Sequence, residues 1–146
     1  SLMITALLDE ELEGKSILDL GCGSGILSIV SRKLGSNNIT AIELDEVCRQ
    51  EIQSNIELNE VKDGIKFYIK DAKLIGPYNF DIILANIEKN IIMDLISFMK
   101  VKDSKVILSG ILNYQFDEVK LKLQKEGFSN IFSCTEGEWI CITAEY

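Results

Sequence analysis

The sequence predicts a three-layer, doubly wound α/β fold: a mostly parallel seven-stranded sheet that ends in an antiparallel C-terminal hairpin. Three observations carry that prediction. Short β-rich runs alternate with stretches whose apolar residues recur at helical spacing, the pattern of linked βαβ units. The run Phe80-Asp81-Ile82-Ile83-Leu84-Ala85 is almost wholly apolar, as a strand covered by helices on both faces must be. The last two β-rich runs have only a Thr-Glu-Gly turn region between them, which suits an antiparallel pair at a sheet edge.

Taken in order, residues 1–14 read as a helical lead-in, with Ser1-Leu2 before Met3 read as a cloning remnant. Strands are expected at 16–20, 39–44, 65–69, 80–85, 105–108, 128–134 and 139–145. A helix is expected over 26–34, with Ile26, Ile29, Val30 and Leu34 inward and Gly35 as a left-handed stop. Asp45 is placed to cap a second helix over 46–58 that buries Cys48, Ile52 and Ile56. A third, over 90–100, carries Ile91, Ile92, Leu95, Ile96 and Met99. A fourth, over 115–126, turns Phe116, Val119 and Leu123 inward and ends at Gly127. No repeat, linker or low-complexity run breaks the chain, so residues 1–146 are expected to form a single domain.

Composition narrows the chemistry. At 146 residues and 47% hydrophobic content the chain is long enough to bury a sizeable core, and no apolar run approaches the roughly 20 residues of a bilayer crossing. Fifteen Lys and Arg against 23 Asp and Glu give a net charge of −8, and no basic patch offsets it, so a nucleic-acid partner is not expected. Histidine is absent, which removes Ser-His-Asp and Cys-His catalysis. The four cysteines show no Cys-x-x-Cys spacing and no signal-peptide pattern precedes them; they read as reduced thiols of a cytoplasmic protein with no metal site. Cys134 and Cys141 face one another if their strands form a hairpin, where they read as small apolar filler.

Ligands of such folds sit beyond the carboxyl ends of the strands, at the point where strand order reverses. There the sequence offers Asp19-Leu20-Gly21-Cys22-Gly23-Ser24-Gly25, whose alternate glycines let backbone approach a ligand. Ile26 stands where a dinucleotide fingerprint needs glycine, and no Gly-Lys-Ser/Thr follows. Asp19, two residues before Gly21, repels a pyrophosphate and welcomes a cation, and S-adenosylmethionine, with a sulfonium, an ammonium and no phosphate, fits. Glu43, with Leu44, ends the second strand, where a carboxylate accepts from both ribose hydroxyls. Asp71-Ala72 after the third strand is placed beside an adenine and its exocyclic amine. Each acid also has a plainer role: a strand-end turn former for Asp19, a solvated terminal acid for Glu43, a turn or cap for Asp71.

With these residues the chain resembles the class I S-adenosylmethionine-dependent methyltransferases, which have a Rossmann-like methyltransferase fold, and within them the catalytic domain of the ribosomal protein L11 methyltransferase family. The stretches that carry the likeness are Ile17-Leu18-Asp19-Leu20-Gly21-Cys22-Gly23-Ser24-Gly25-Ile26-Leu27, Ala85-Asn86-Ile87-Glu88-Lys89-Asn90, Leu108-Ser109-Gly110-Ile111-Leu112 and Glu136-Gly137-Glu138-Trp139. The first is shared across the superfamily; the other three are more particular.

The resemblance implies that Asn86 lies beside the transferred methyl group and positions the substrate. The Asn86 side-chain oxygen and the Ile87 carbonyl are then the acceptors that orient an attacking amine. Family members also carry an N-terminal recognition module and a Thr-rich segment before the catalytic domain, and residues 1–14 contain neither. Glu88 and Lys89 stand where the family usually has small or apolar residues; Glu88 reads as a solvated helix-start acid, with attraction of a substrate lysine as its alternative. Trp139 reads as packing rather than as a site residue.

The expected function is methyl transfer to a nitrogen of a protein, a basic one given the −8 charge, and possible substrates include a ribosomal protein. The alternatives are a small-molecule or RNA methyltransferase, or an S-adenosylmethionine-binding module without turnover.

Overall fold

A computed structural model describes all 146 residues. Strands β1 (Ser16–Leu20), β2 (Asn38–Glu43), β3 (Ile65–Ile69), β4 (Ile82–Asn86), β5 (Lys105–Leu112), β6 (Ser129–Glu136) and β7 (Trp139–Glu145) form one sheet in the order β3-β2-β1-β4-β5-β7-β6. The pairs among β1 to β5 are parallel, and β7 is antiparallel to both β5 and β6. The order runs one way from β1 to β3 and the other way from β4, so the switch point lies between the carboxyl ends of β1 and β4.

Strand alternation feeds two cores. Ile17, Ile39, Ala41 and Leu84 face helices α1 (Leu2–Leu8), α2 (Ile26–Lys33) and α3 (Arg49–Leu58), joining Leu7, Ile29 and Ile52. Leu18, Ile83, Val106 and Ile142 face α4 (Lys89–Leu95) and α5 (Phe116–Lys125), joining Ile92, Val119 and Leu123. These are the three expected layers.

The differences from expectation have local causes. Phe80 and Asp81 stay outside β4 because Asp81 Oδ2 accepts from the amide and hydroxyl of Ser16, pinning the start of β1. β5 runs on to Leu112 through a bulge at Ser109-Gly110, since β7 keeps pairing beyond it. In α2 the buried face is Leu27, Ser28, Ile29 and Ser31, while Ile26 and Leu34 are exposed; Gly25 caps the helix in the left-handed conformation. Residues 46–48 form a 3-10 turn, capped by Asp45, that leaves Cys48 half-buried. The third expected helix ends at Leu95 and tightens into a 3-10 turn over Ile96–Met99, with Ile91 exposed. All four cysteines are free, and Cys134 and Cys141 are direct partners across β6 and β7. No helix is long and apolar enough to cross a membrane.

Candidate functional site

The glycine loop leaves β1 with Gly21, Gly23 and Gly25 all in the left-handed region. Two of them are fixed by packing: a Cβ on Gly21 would lie 2.5 Å from Ile87 Cγ2, and one on Gly25 2.6 Å from Ile52 Cγ1. Gly23 is different. Nothing lies within 4 Å of where its Cβ would be, so the loop is bare there on its outer side, a surface against which a ligand can close. Asn55 of α3 donates to Ser24 O at 2.9 Å and holds the loop from below.

Glu43 reaches over this loop from the end of β2. Its Oε1 accepts from the Gly23 amide at 3.0 Å and its Oε2 from the Asp45 amide at 3.1 Å, so the carboxylate is oriented, with lone pairs left for further donors. Asp71 caps a 3-10 turn, Oδ1 accepting from the Lys73 amide at 3.0 Å, and Oδ2 accepts nothing within the chain. Glu43, Leu44, Asp71 and Ala72 meet Gly21 and Ile87 around a cavity of about 370 Å³, in the size range of small-ligand sites. Leu44 is 67% exposed, an apolar side chain at the rim with no protein partner covering it. Glu43, Asp45 and Asp71 line the cavity against Lys70 and Lys73, and Lys73 pairs with Asp94 at 3.2 Å, so the acids set the sign of the field.

Asp19 stands elsewhere than expected. It shares a face of β1 with Ile17, turned toward α2, and lies beneath the loop, 1% exposed and off the cavity wall. Its Oδ2 accepts from Ser28 Oγ at 2.7 Å, and its buried Oδ1 has no donor. Burial pushes the carboxyl up to about 7 against the Ser28 hydrogen bonds, with a small addition from the Glu43 charge. Burial, and then the Asp19 and Glu43 charges, push up the thiol of Cys22 between them. Asp19 therefore faces Ser28 beneath the loop rather than the cavity.

Asn86 is exposed at the carboxyl end of β4, and its side chain makes no hydrogen bond within the chain. Its neighbour Ile87 lines the first cavity. Asn86 itself lines a second, of about 290 Å³, with Leu2, Met3, Gly110, Glu136 and Trp139. The Asn86-Ile87 segment is thus the wall between them. No N–H of the chain donates to the Ile87 carbonyl, and Gly110 is why it stays open: a Cβ there would sit 2.6 Å from that oxygen. Glu88 is exposed at the N-cap of α4, and Lys89 pairs with Glu118 at 2.8 Å.

Trp139 and Glu136, passed over as site residues by sequence reading, stand opposite Asn86; their signal was the Glu136-Gly137-Glu138-Trp139 motif itself. Ser28 and Asn55, which hold Asp19 and the loop, gave no signal beyond being polar residues in helices. Gly23 and Gly25 lie on neither cavity wall.

A family model described as "Ribosomal protein L11 methyltransferase (PrmA)" matches residues 1–146. The chain belongs to the ribosomal protein L11 methyltransferase family. These are class I S-adenosylmethionine-dependent methyltransferases, and the match runs from Ser1 to Tyr146. The chain is 38% identical to the ribosomal protein L11 methyltransferase of Ruminiclostridium cellulolyticum over 96% of its own length and 46% of that protein. It is 34% identical to that of Bacteroides fragilis over 97% of its length and 52% of that protein. It therefore spans about half the length of the curated relatives it matches. The crystal structure of a ribosomal protein L11 methylase from Lactobacillus delbrueckii subsp. bulgaricus superposes with a TM-score of 0.86 at 27% identity, covering 98% of this chain and 74% of that one. At 21% identity, magnesium protoporphyrin IX methyltransferase from Synechocystis with bound SAM, TM-score 0.78, shares the fold; the likeness covers 99% of this chain and 76% of that one.

Proposed function

We propose that residues 1–146 act as a single methyltransferase domain that moves a methyl group from S-adenosylmethionine to a nitrogen of a basic protein, a ribosomal protein in the cytoplasm. One observation carries the reading: two acceptors without partners, the Asn86 side chain and the Ile87 carbonyl, stand in the wall between a nucleoside-sized cavity and a second one open to a substrate.

In the first cavity the chain's groups match the cofactor's. Glu43 would hold the ribose hydroxyls, Asp71 Oδ2 the exocyclic amine, and Leu44, Ala72 and Ile87 the ring faces, with the open side of Gly23 for the aminoacyl end. The buried, half-satisfied Asp19 favours a cation above the loop. The cofactor supplies an electrophilic methyl group on a sulfonium.

The protein's task is placement. An amine attacks only when neutral, so a carboxylate at the reacting nitrogen would hold it protonated, whereas the dipoles of Asn86 and Ile87 accept N–H bonds and aim the lone pair. A chain without histidine loses nothing by this, because the proton leaves to solvent after transfer. The net charge of −8, with Glu136 at the second cavity, favours a cationic substrate.

The test is transfer of labelled methyl from S-adenosylmethionine into a ribosomal protein fraction. Label is expected in protein, resistant to nuclease, and lost with Asn86→Ala. Cofactor binding without any transfer would make the domain a binding module, and label in RNA would overturn the protein acceptor.

A further inference from the structure

We propose that the groove between α1 and β6 is a docking track for an extended, lysine-bearing segment of the substrate protein, which it leads to Asn86. The inference rests on the methyltransferase reading above and names where its substrate lies.

A third cavity, of about 230 Å³, lies between α1 and the hairpin; Thr5, Asp9, Phe132 and Cys134 line it. Leu2 lines both it and the Asn86 cavity, so the two are neighbours along α1. Strand geometry makes them one track. Phe132, Cys134 and Glu136 alternate on β6, and Trp139 and Cys141 on β7, all on the face toward α1, with Glu136 paired to Trp139 and Cys134 to Cys141. From Phe132 to Glu136 is four residues, or roughly 13 Å, the length of about four residues of extended peptide.

The track is apolar where a peptide's uncharged side chains would rest and acidic where its lysines would. Phe132 of β6 is 69% exposed and Trp139 of β7 48%, both large side chains on the face toward α1 that α1 leaves uncovered. Lys105 is neutralised by its ion pair with Glu10, which leaves Asp9 and Glu136 as the unpaired acids along the walls. An extended chain alternating cationic and apolar residues complements this pattern, and at the inner end the next lysine reaches the open acceptors of Asn86 and Ile87.

The probe is a short peptide alternating lysine and valine, with a glutamate-for-lysine counterpart as control, assayed with labelled S-adenosylmethionine. Phe132→Ser and Asp9→Lys, both at exposed positions far from Asn86 in sequence, are expected to raise KM for the peptide about tenfold while kcat stays within about twofold. Saturating peptide is expected to slow alkylation of the exposed thiol of Cys134 several-fold, whether or not transfer occurs. Methylation of the peptide with KM unchanged in both variants, or with Cys134 left unprotected, overturns the track alone. A dimer that Phe132→Ser converts to monomer also overturns it, by showing a second copy as the occupant. No cofactor binding and no transfer to any acceptor overturns the reading beneath it, a result that calorimetric titration of S-adenosylmethionine into the protein registers separately.

Discussion

On the β2–β3 side of the switch point the polar groups already hold one another. Glu43 takes the amides of Gly23 and Asp45, Asp71 caps its own turn, and Asn55 props the loop. On the β4–β7 side they do not: the Asn86 side chain is unbonded, the Ile87 carbonyl has no donor, Trp139 is half-exposed, and β6 is exposed almost throughout. The first side is preorganised for one small ligand of fixed shape. On the proposed function, the second keeps its bonding capacity for a partner that arrives as a chain. The difference teaches that rigidity sits where the ligand is constant and openness where the acceptor must enter and leave.

The comparison breaks most easily at Gly110. Gly110→Ala puts a Cβ 2.6 Å from a backbone oxygen, at φ +80, where neither atom can move away. It is expected to cost about 2 kcal/mol or more in denaturant unfolding and to abolish transfer. Asn86→Ala tests the open side without touching the fold: kcat is expected to fall about a hundredfold, with S-adenosylmethionine affinity within about twofold by calorimetry.

Asp19→Asn sharpens the contrast by removing the charge stored under the loop. A carboxyl raised from 3.8 to about 7 keeps its proton in the folded chain where the unfolded chain has lost it. Its contribution to stability therefore falls as pH rises through that window and is flat above it. Urea unfolding at pH 5 and pH 8 is expected to show the wild type losing on the order of 2 kcal/mol relative to Asp19→Asn, while the variant's cofactor affinity drops. An equal pH response of the two proteins would remove Asp19 as a stored charge. The smallest effect is at Gly23. Gly23→Ala meets no atom in the free protein, so it should cost only the left-handed backbone, about 1 kcal/mol, yet weaken the cofactor about tenfold in the same titration.

The sheet was readable because its signals are local and strong. Strands β1, β3 and β7 fall on the expected residues, since apolar runs bounded by turn residues leave little choice. Boundaries failed where a tertiary bond decides them, as when Asp81 leaves β4 to hold Ser16, or β7 draws β5 on past Gly110. At the site, the spacing of Glu43, Leu44, Asp71 and Ala72 from the loop was enough to bring them to one cavity. Asp19 was misplaced by one layer because a strand's alternation, not its end, decides which way a side chain turns. Trp139 and Glu136 were passed over although their motif was visible, because what they face is set by the pairing of β7 beside β5, which brings them opposite Asn86.

The central claim is that the acids at the ends of β2 and β3, over the bare loop, form the S-adenosylmethionine cavity. Its most direct test is calorimetric titration of S-adenosylmethionine into the wild type and Glu43→Ala. One saturable site, weakened about tenfold or more by Glu43→Ala, is the expected result. No binding by the wild type, or equal affinity in both proteins, would contradict it.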